Sequence, residues 1–405
     1  MDTAELRELL TPESLELLDA LDVDALGDAV AAVSRLRAAG HSPARVAAVL
    51  SQARLRRRAR AKFGAFADRM LFTEAGLEQS TRLAVASLHA GRFAAAGLDH
   101  VADLGCGIGA DALALAGLDL GVLAVERDET TAALAAYNLA PFPRARVDCA
   151  DATTVDLGEV DAAWLDPARR RAGASGAGGP GGAGGPRGRR LDDPHDWEPS
   201  LEFCFDLGRR IPVGVKLGPG LDRALLPADM EAQWVSVDRE VVELVVWSGP
   251  LARAGVGRAA LVLGAHGAAE LTAAADSDDA EVGELGAWLY EPDGAVIRAR
   301  LIGDLARRLD GRMIDETIAW ITAETAVETP FAQRFRVLEE LPFDEKRLKR
   351  LLRERGVGTL EIKKRGVDVD PAQLRKRLNP SGPASATLVL TRRGGRRVAI
   401  LAERA

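Results

Sequence analysis

Val101-Ala102-Asp103-Leu104-Gly105-Cys106-Gly107-Ile108-Gly109-Ala110, running straight into Asp111-Ala112-Leu113-Ala114-Leu115-Ala116, is the stretch that decides the fold. An apolar strand reaches an acid, a glycine-dense turn follows, and a helix begins at once. Glycine lets such a turn take positive φ and lets a ligand approach the backbone closely. The new helix points its free N–H groups at that ligand. The next apolar run, Leu120 to Val125, ends in Glu126, where a carboxylate can hold ribose hydroxyls. The pattern predicts a strand–turn–helix–strand unit that binds a nucleoside cofactor.

Gly105-x-Gly107-x-x-Ala110 also fits the dinucleotide-binding fingerprint. Two features favour S-adenosylmethionine. Asp103 lies two residues before the first glycine, in reach of a methionyl ammonium, whereas beside a pyrophosphate it would repel. Glycines at 105, 107 and 109 have the spacing of class I methyltransferases. Further strands follow in order. Arg146-Val147-Asp148-Cys149-Ala150-Asp151 reads as a third strand ending in an acid for the adenine amine. Val160-Asp161-Ala162-Ala163-Trp164-Leu165 reads as a fourth, running into Asp166-Pro167. Strand ends line the ligand crevice in this architecture, so Asp166 and Pro167, the candidate catalytic pair, should face the transferable methyl. Proline fixes the local φ. The pair can hold a planar amine and aim its lone pair, and positioning supplies most of the rate in such a displacement.

The chain resembles class I S-adenosylmethionine-dependent methyltransferases, and within them a bacterial group with a C-terminal THUMP-like domain. The residues that carry the resemblance include Phe63-Gly64, Arg69-Met70-Leu71-Phe72-Thr73 and Leu77-Glu78-Gln79-Ser80-Thr81-Arg82 before the glycine turn. After it come Trp164-Leu165-Asp166-Pro167-Ala168-Arg169-Arg170, Val215-Lys216-Leu217-Gly218-Pro219-Gly220, Leu289-Tyr290-Glu291-Pro292-Asp293 and Ile362-Lys363-Lys364-Arg365-Gly366. The resemblance implies an α/β fold: a Rossmann-like methyltransferase sheet with an N-terminal helical region and a C-terminal α+β THUMP-like, RNA-binding domain. The segment around Leu165-Asp166-Pro167-Ala168-Arg169 is similar to ribosomal RNA 5-methyluridine methyltransferases, but their chemistry needs a cysteine after the fifth strand. Here Pro212-Val213-Gly214-Val215-Lys216-Leu217 leads into Gly218-Pro219-Gly220 without one. Cys106, Cys149 and Cys204 are the only cysteines, and none occupies a nucleophile's place. A base nitrogen is the better acceptor.

The organisation expected is residues 1–62 as a helical region, 63–252 as the methyltransferase domain with a Gly-rich insertion at 172–190, and 255–405 as the THUMP-like domain. Thr11-Pro12 and Ser42-Pro43 are helix starts. Arg54, Arg56, Arg57, Arg58, Arg60 and Lys62 form either an RNA phosphate track or a solvated helix face. The insertion is a lid, an arginine-bearing tether or a tolerated loop, being too poor in apolar surface to order itself. Trp234-Val235-Ser236-Val237 and Val241 to Trp247 read as the hairpin that ends the sheet, and Val296 to Leu309 as one helix.

With 405 residues, 47% of them hydrophobic, there is chain enough for two or three cored domains. Three cysteines without paired spacing imply neither a disulfide framework nor a zinc motif, so no metal is expected. The acidic start is unlike a signal peptide, and no apolar stretch is long enough to span a bilayer. The expectation is a soluble cytoplasmic enzyme with no membrane partner.

Net charge is −7, yet from Glu345 to Arg397 sixteen basic side chains face five acidic ones, the footprint of a phosphate-binding surface. RNA is therefore the expected partner. Candidate substrate contacts are Phe72 and Trp164 for stacking on an extruded base, Arg169 and Arg170 for phosphates, and Lys216 for phosphate or substrate unless it is a plain strand-end lysine. Lys363, Lys364 and Arg365 complete the set. The alternatives are a non-catalytic RNA-binding or assembly protein that kept the cofactor fold, a protein or small-molecule methyltransferase, and, more remotely, a nicotinamide dehydrogenase.

Overall fold

The computed structural model of the chain describes residues 1–21, 29–168 and 194–405. Arg169, Arg170 and the insertion at 172–190 lie outside the described residues. The chain divides into two units, the first holding residues 1–217 and 246–252, the second residues 218–245 and 253–405.

The first unit opens with α1 (Thr3–Leu9), α2 (Pro12–Ala20), α3 (Ala29–Ala38) and α4 (Pro43–Phe63). Thr11 and Ser42 cap α2 and α4 through their hydroxyls, each with proline in the first turn. Then come α5 (Glu74–Gln79), α6 (Leu83–Ala95), β1 (His100–Leu104), α7 (Ala110–Ala116), β2 (Gly121–Glu126), α8 (Glu129–Leu139), β3 (Ala145–Cys149), β4 (Ala162–Leu165), α9 (Leu201–Gly208) and β5 (Val213–Leu217). The strands run in the order β3-β2-β1-β4-β5, with every neighbouring pair parallel. Strand order reverses between β1 and β4, which opens a crevice outside their carboxyl ends. β1, β2, β4 and β5 are almost wholly buried, as continuous apolar runs in a covered parallel sheet should be.

An aromatic cluster stands behind this sheet. Trp164 of β4 packs against His89 and Phe93 of α6 and against Trp247, with ring centroids 4.8, 6.4 and 5.7 Å away. Gly214 of β5 makes room for it: a Cβ there would meet the rings of Trp247 and Trp164 at 2.6 to 2.9 Å.

The second unit contains β6 (Glu231–Val237), β7 (Glu240–Trp247, its last two residues counted with the first unit), β8 (Arg258–Gly264) and β9 (Gly267–Ala273). β6 and β7 are joined by Asp238 and Arg239, both at positive φ, as a two-residue hairpin turn requires. Next are β10 (Trp288–Pro292), α10 (Gly294–Arg298), α11 (Ile302–Arg308), β11 (Arg312–Met313), β12 (Ile321–Ala323), β13 (Ala332–Pro342), α12 (Glu345–Glu354), β14 (Val357–Lys364), α13 (Pro371–Leu378), β15 (Ala384–Arg393) and β16 (Arg396–Arg404). The single helix expected over 296–309 is thus two, broken at Arg300, which takes φ +59°. β10 to β16 form a sheet of order β11-β12-β10-β13-β16-β15-β14. Its central strands bury both faces. Leu388, Leu390, Ala399 and Leu401 pack under α12 and α13, while Val389, Val398, Ile400 and Ala402 join Trp320 and Phe335 on the other side. That alternation is the two-residue period of a strand. Among the described residues no helix is long and apolar enough to cross a membrane.

Candidate active site

The glycine turn after β1 adopts the expected conformation, with Gly105, Gly107 and Gly109 at φ +88°, +55° and +82°. Its backbone is pinned to β2: Gly105 and Cys106 donate to the Val125 carbonyl at 2.9 and 3.0 Å. Glu126, at the end of β2, accepts from Gly107 N–H at 3.1 Å through Oε2 and from Asp128 N–H at 2.9 Å through Oε1. Each oxygen retains a lone pair for a ribose hydroxyl. A Cβ on Gly107 would meet nothing within 4 Å, so the turn faces open space there. Asp151 lies two residues past β3, exposed, its carboxylate accepting from Thr153 N–H and Oγ1 at 2.8 and 2.7 Å. Those bonds hold it below the usual carboxylate range.

Asp103 is 1% exposed, and its Oδ2 has no hydrogen-bond partner among the described residues. Burial, reinforced by Asp111 and Asp166, pushes its carboxyl well above the ordinary range. A buried acid with an unmatched oxygen beside an open glycine turn fits a cationic amine such as the methionyl ammonium. Across the crevice, the Asp166 carbonyl comes within 3.7 Å of where a Gly105 Cβ would stand. The Asp-Pro turn and the glycine turn are therefore adjacent. Asp166 is half-buried and Pro167 buried.

Lys216, at the end of β5, does not extend a free ammonium. It donates to Thr81 Oγ1 at 2.8 Å and lies 2.5 Å from Asp166 Oδ2 and 3.6 Å from Asp111 Oδ2. Thr81 in turn donates to Asp111 Oδ2 at 3.1 Å. Asp111 and Thr81 are site residues to which the sequence reading gives no role, although both lie in the quoted motifs. Although three carboxylates converge, no group of His, Cys, Asp or Glu among the described residues is disposed to hold a metal ion.

The segment before the sheet is clamped by two buried amides. Gln52 of α4 exchanges bonds with Phe72 N–H and C=O at 3.0 and 2.7 Å. Asn138 of α8 does the same for Leu71 at 2.7 and 3.0 Å, and donates to the Ile108 carbonyl in the glycine turn at 2.8 Å. Lys62 is spent on the carbonyls of Leu77, Glu78 and Ser80 at 2.7 to 2.9 Å. Burial, then Lys216 and Arg82, lower its pKa to about 8. Burial also pushes the thiols of Cys106 and Cys204 up, the latter to about 12, which keeps both protonated.

The structure corrects several of the expected contacts. Trp164 and Phe72 are not stacking platforms: the first lies in the aromatic cluster, the second is fully buried with its ring 5.6 Å from Phe63. Lys216 makes its contacts inside the protein and not with a phosphate. Most of the α4 arginines are matched within the protein: Arg54 and Arg58 pair with Glu74, Arg60 with Asp68, and Arg56 is buried against Asp19 and the Met70 carbonyl, while Arg57 is exposed. In the second unit Lys363 is 2.7 Å from Glu291, and Arg365 donates to the Ala319 carbonyl at 2.7 Å. Lys364 alone of that trio is exposed without a hydrogen-bond or ion-pair partner among the described residues.

A family profile described as "THUMP domain-like" matches residues 332–404, and a domain of unknown function matches residues 2–59. Two curated relatives, described as uncharacterized S-adenosylmethionine-dependent methyltransferases of Mycobacterium tuberculosis strains CDC 1551 and H37Rv, are 33% identical over 352 residues. The match covers 84% of this chain and 91% of each relative. A crystal structure from Porphyromonas gingivalis W83, described as a candidate methyltransferase, superposes with a TM-score of 0.69 at 22% identity. That match covers 100% of this chain and 99% of the other, and supports the fold.

Proposed function

This chain belongs to the S-adenosylmethionine-dependent methyltransferases, and on that premise we propose that it methylates a base nitrogen of RNA. The observation that carries the RNA reading is the outer face of α12. Lys346, Lys349, Arg350 and Arg353 stand at i, i+3, i+4 and i+7, on one side of the helix. The stripe is about 10 Å long at about 1.5 Å rise per residue. Leu348, Leu351 and Leu352 bury the opposite side. Among the described residues the one ion pair made by the stripe is Arg350 with Glu354, at 3.7 Å.

Other cations in the same segment are neutralised. Arg355 pairs with Glu339, Arg377 with Glu345, Arg393 with Glu340 and Arg404 with Glu361, all at 2.7 to 2.9 Å. A row of largely unmatched cations on a rigid helix suits a chain of phosphates. Its apolar side is occupied by the core, which argues against insertion into a lipid surface.

In this reading residues 63–252 carry the chemistry and residues 255–405 the RNA contact. Asp103 and the glycine turn hold the methionyl group, Glu126 the ribose and Asp151 the adenine amine. When bound, S-adenosylmethionine supplies an electrophilic methyl on a sulfonium. Asp166 accepts a hydrogen bond from the target nitrogen, and Pro167 fixes the turn that presents it. With Phe72 and Trp164 buried, the base is held by its edge. Lys364 adds a phosphate contact.

The test is RNA binding by the full chain at several salt concentrations. Neutralising the four α12 cations to glutamine should flatten the log K against log[salt] slope by about 3 for structured or single-stranded RNA. An unchanged slope overturns the assignment of α12.

A further inference from the structure

The ammonium of Lys216 has three donors and meets three oxygens, from Thr81, Asp166 and Asp111. They come from the α5–α6 connection, the turn after β4 and the first turn of α7, and the side chain is only 11% exposed. Lys216 is thus a knot between the cofactor helix and the acceptor-side carboxylate. Without it, Asp111 and Asp166, which stand close to the buried Asp103, would lose the cation they share. The other cations nearby are Lys62 and Arg82, like charges to Lys216. Lys62 is committed to the Leu77, Glu78 and Ser80 carbonyls.

We propose that Lys216 is the positioning residue of the transfer reaction. It balances the charge of Asp166 at ion-pair distance and holds it in one orientation, while Asp111 and Thr81 set Lys216 from the cofactor side. The inference rests on Asp166 being the acceptor-side carboxylate. In the transfer the nitrogen lone pair forms the new C–N bond, and the S–C bond breaks with its electrons to sulfur. The proton shed by the nitrogen passes to Asp166 and on to water. A carboxyl already protonated could still accept the N–H hydrogen bond through its carbonyl oxygen, but could not take that proton.

The experiment is a carboxyl-carbon NMR titration of the full, cofactor-free chain labelled at aspartate, with the Asp166 signal assigned by its loss in Asp166→Asn. Removing an ammonium at ion-pair distance should raise the Asp166 midpoint by about one to three pH units in Lys216→Met. Lys216→Arg should restore most of the difference, and Thr81→Val should move the midpoint less, in the same direction. An unmoved midpoint in Lys216→Met, or in Thr81→Val should the first variant not fold, overturns the proposal.

A second readout separates positioning from scaffolding. Lys216→Met should keep its S-adenosylhomocysteine Kd within about threefold of wild type. Its kcat on total RNA should fall about 100-fold through the lost positioning of Asp166, and Lys216→Arg should recover most of it. Equal losses in Kd and kcat would mean a merely structural role. The NMR titration needs no acceptor, so failure of the RNA reading leaves it intact.

Discussion

Replacing Asp103 with asparagine should move stability and cofactor affinity in opposite directions. Asp103 is almost fully buried; that burial, with Asp111 and Asp166 adding to it, raises its carboxyl well above the ordinary range. Lys216 and the Ala112 N–H only partly oppose this. The folded state therefore binds this proton more tightly than the unfolded chain does. Stability falls as pH rises from the ordinary carboxylate range to the raised one, by about 1.4 kcal/mol for each pH unit between them. Asparagine carries no such charge to bury, so the cofactor-free variant should unfold at higher temperature than wild type near neutral pH.

Cofactor binding has the reverse requirement, because an ammonium needs the ionised carboxylate. Wild-type affinity should rise with pH, at most about tenfold per unit, until the raised range is passed, and then level off. Up to one proton should leave on binding. The variant loses a charge-assisted bond of about 1.5–3 kcal/mol, or about 10- to 150-fold in Kd, together with the pH dependence. Calorimetry with S-adenosylhomocysteine in two buffers of different ionisation enthalpy counts the proton, and thermal unfolding reads the stability. Zero protons released and a pH-independent Kd in the wild type would refute the reasoning.

Three further outcomes follow from packing and buried polar groups. Gly214→Ala drives a methyl into Trp164 and Trp247 and should cost about 1–3 kcal/mol in denaturant unfolding; a neutral effect would contradict the close approach. Asn138→Ala removes the bonds to Leu71 and Ile108. It should destabilise by about 2–4 kcal/mol and weaken S-adenosylhomocysteine binding, whereas unchanged binding would show that the clamp does not shape the turn. Arg253→Ala strips the guanidinium from the fully buried Glu231 side chain, 2.5 Å away, and from Glu270. It should cost about 3–5 kcal/mol by urea denaturation, and a loss below about 1 kcal/mol would mean that the buried carboxylate is otherwise compensated.

The fold was legible where local pattern and topology agree. The glycine turn, the acid two residues before it and the acidic end of β2 follow from short-range chemistry, and β4 and β5 from apolar runs of strand length. What sequence could not reveal is long-range pairing. The arginines of α4 and the basic residues of β14 look alike in sequence to those of α12. Only the fold brings Glu74, Asp68 and Glu291 to the former and leaves the latter largely unmatched. Trp164 reads as a candidate platform because it sits two residues from Asp166. It lies inside β4, however, and its ring packs behind the sheet among Phe93 and Trp247, contacts that come from distant parts of the chain. Gln52 and Asn138 carry no motif at all, since an amide that clamps a distant backbone segment has no local signature.

The measurement that bears most directly on the central claim is transfer of labelled methyl from S-adenosylmethionine to total RNA and total protein taken from a strain lacking this gene. Digestion of the RNA to nucleosides identifies the product. The account predicts label in one N-methylated nucleoside, lost in Asp166→Ala. Label in protein, or none in RNA from a chain that still binds S-adenosylhomocysteine, would contradict it.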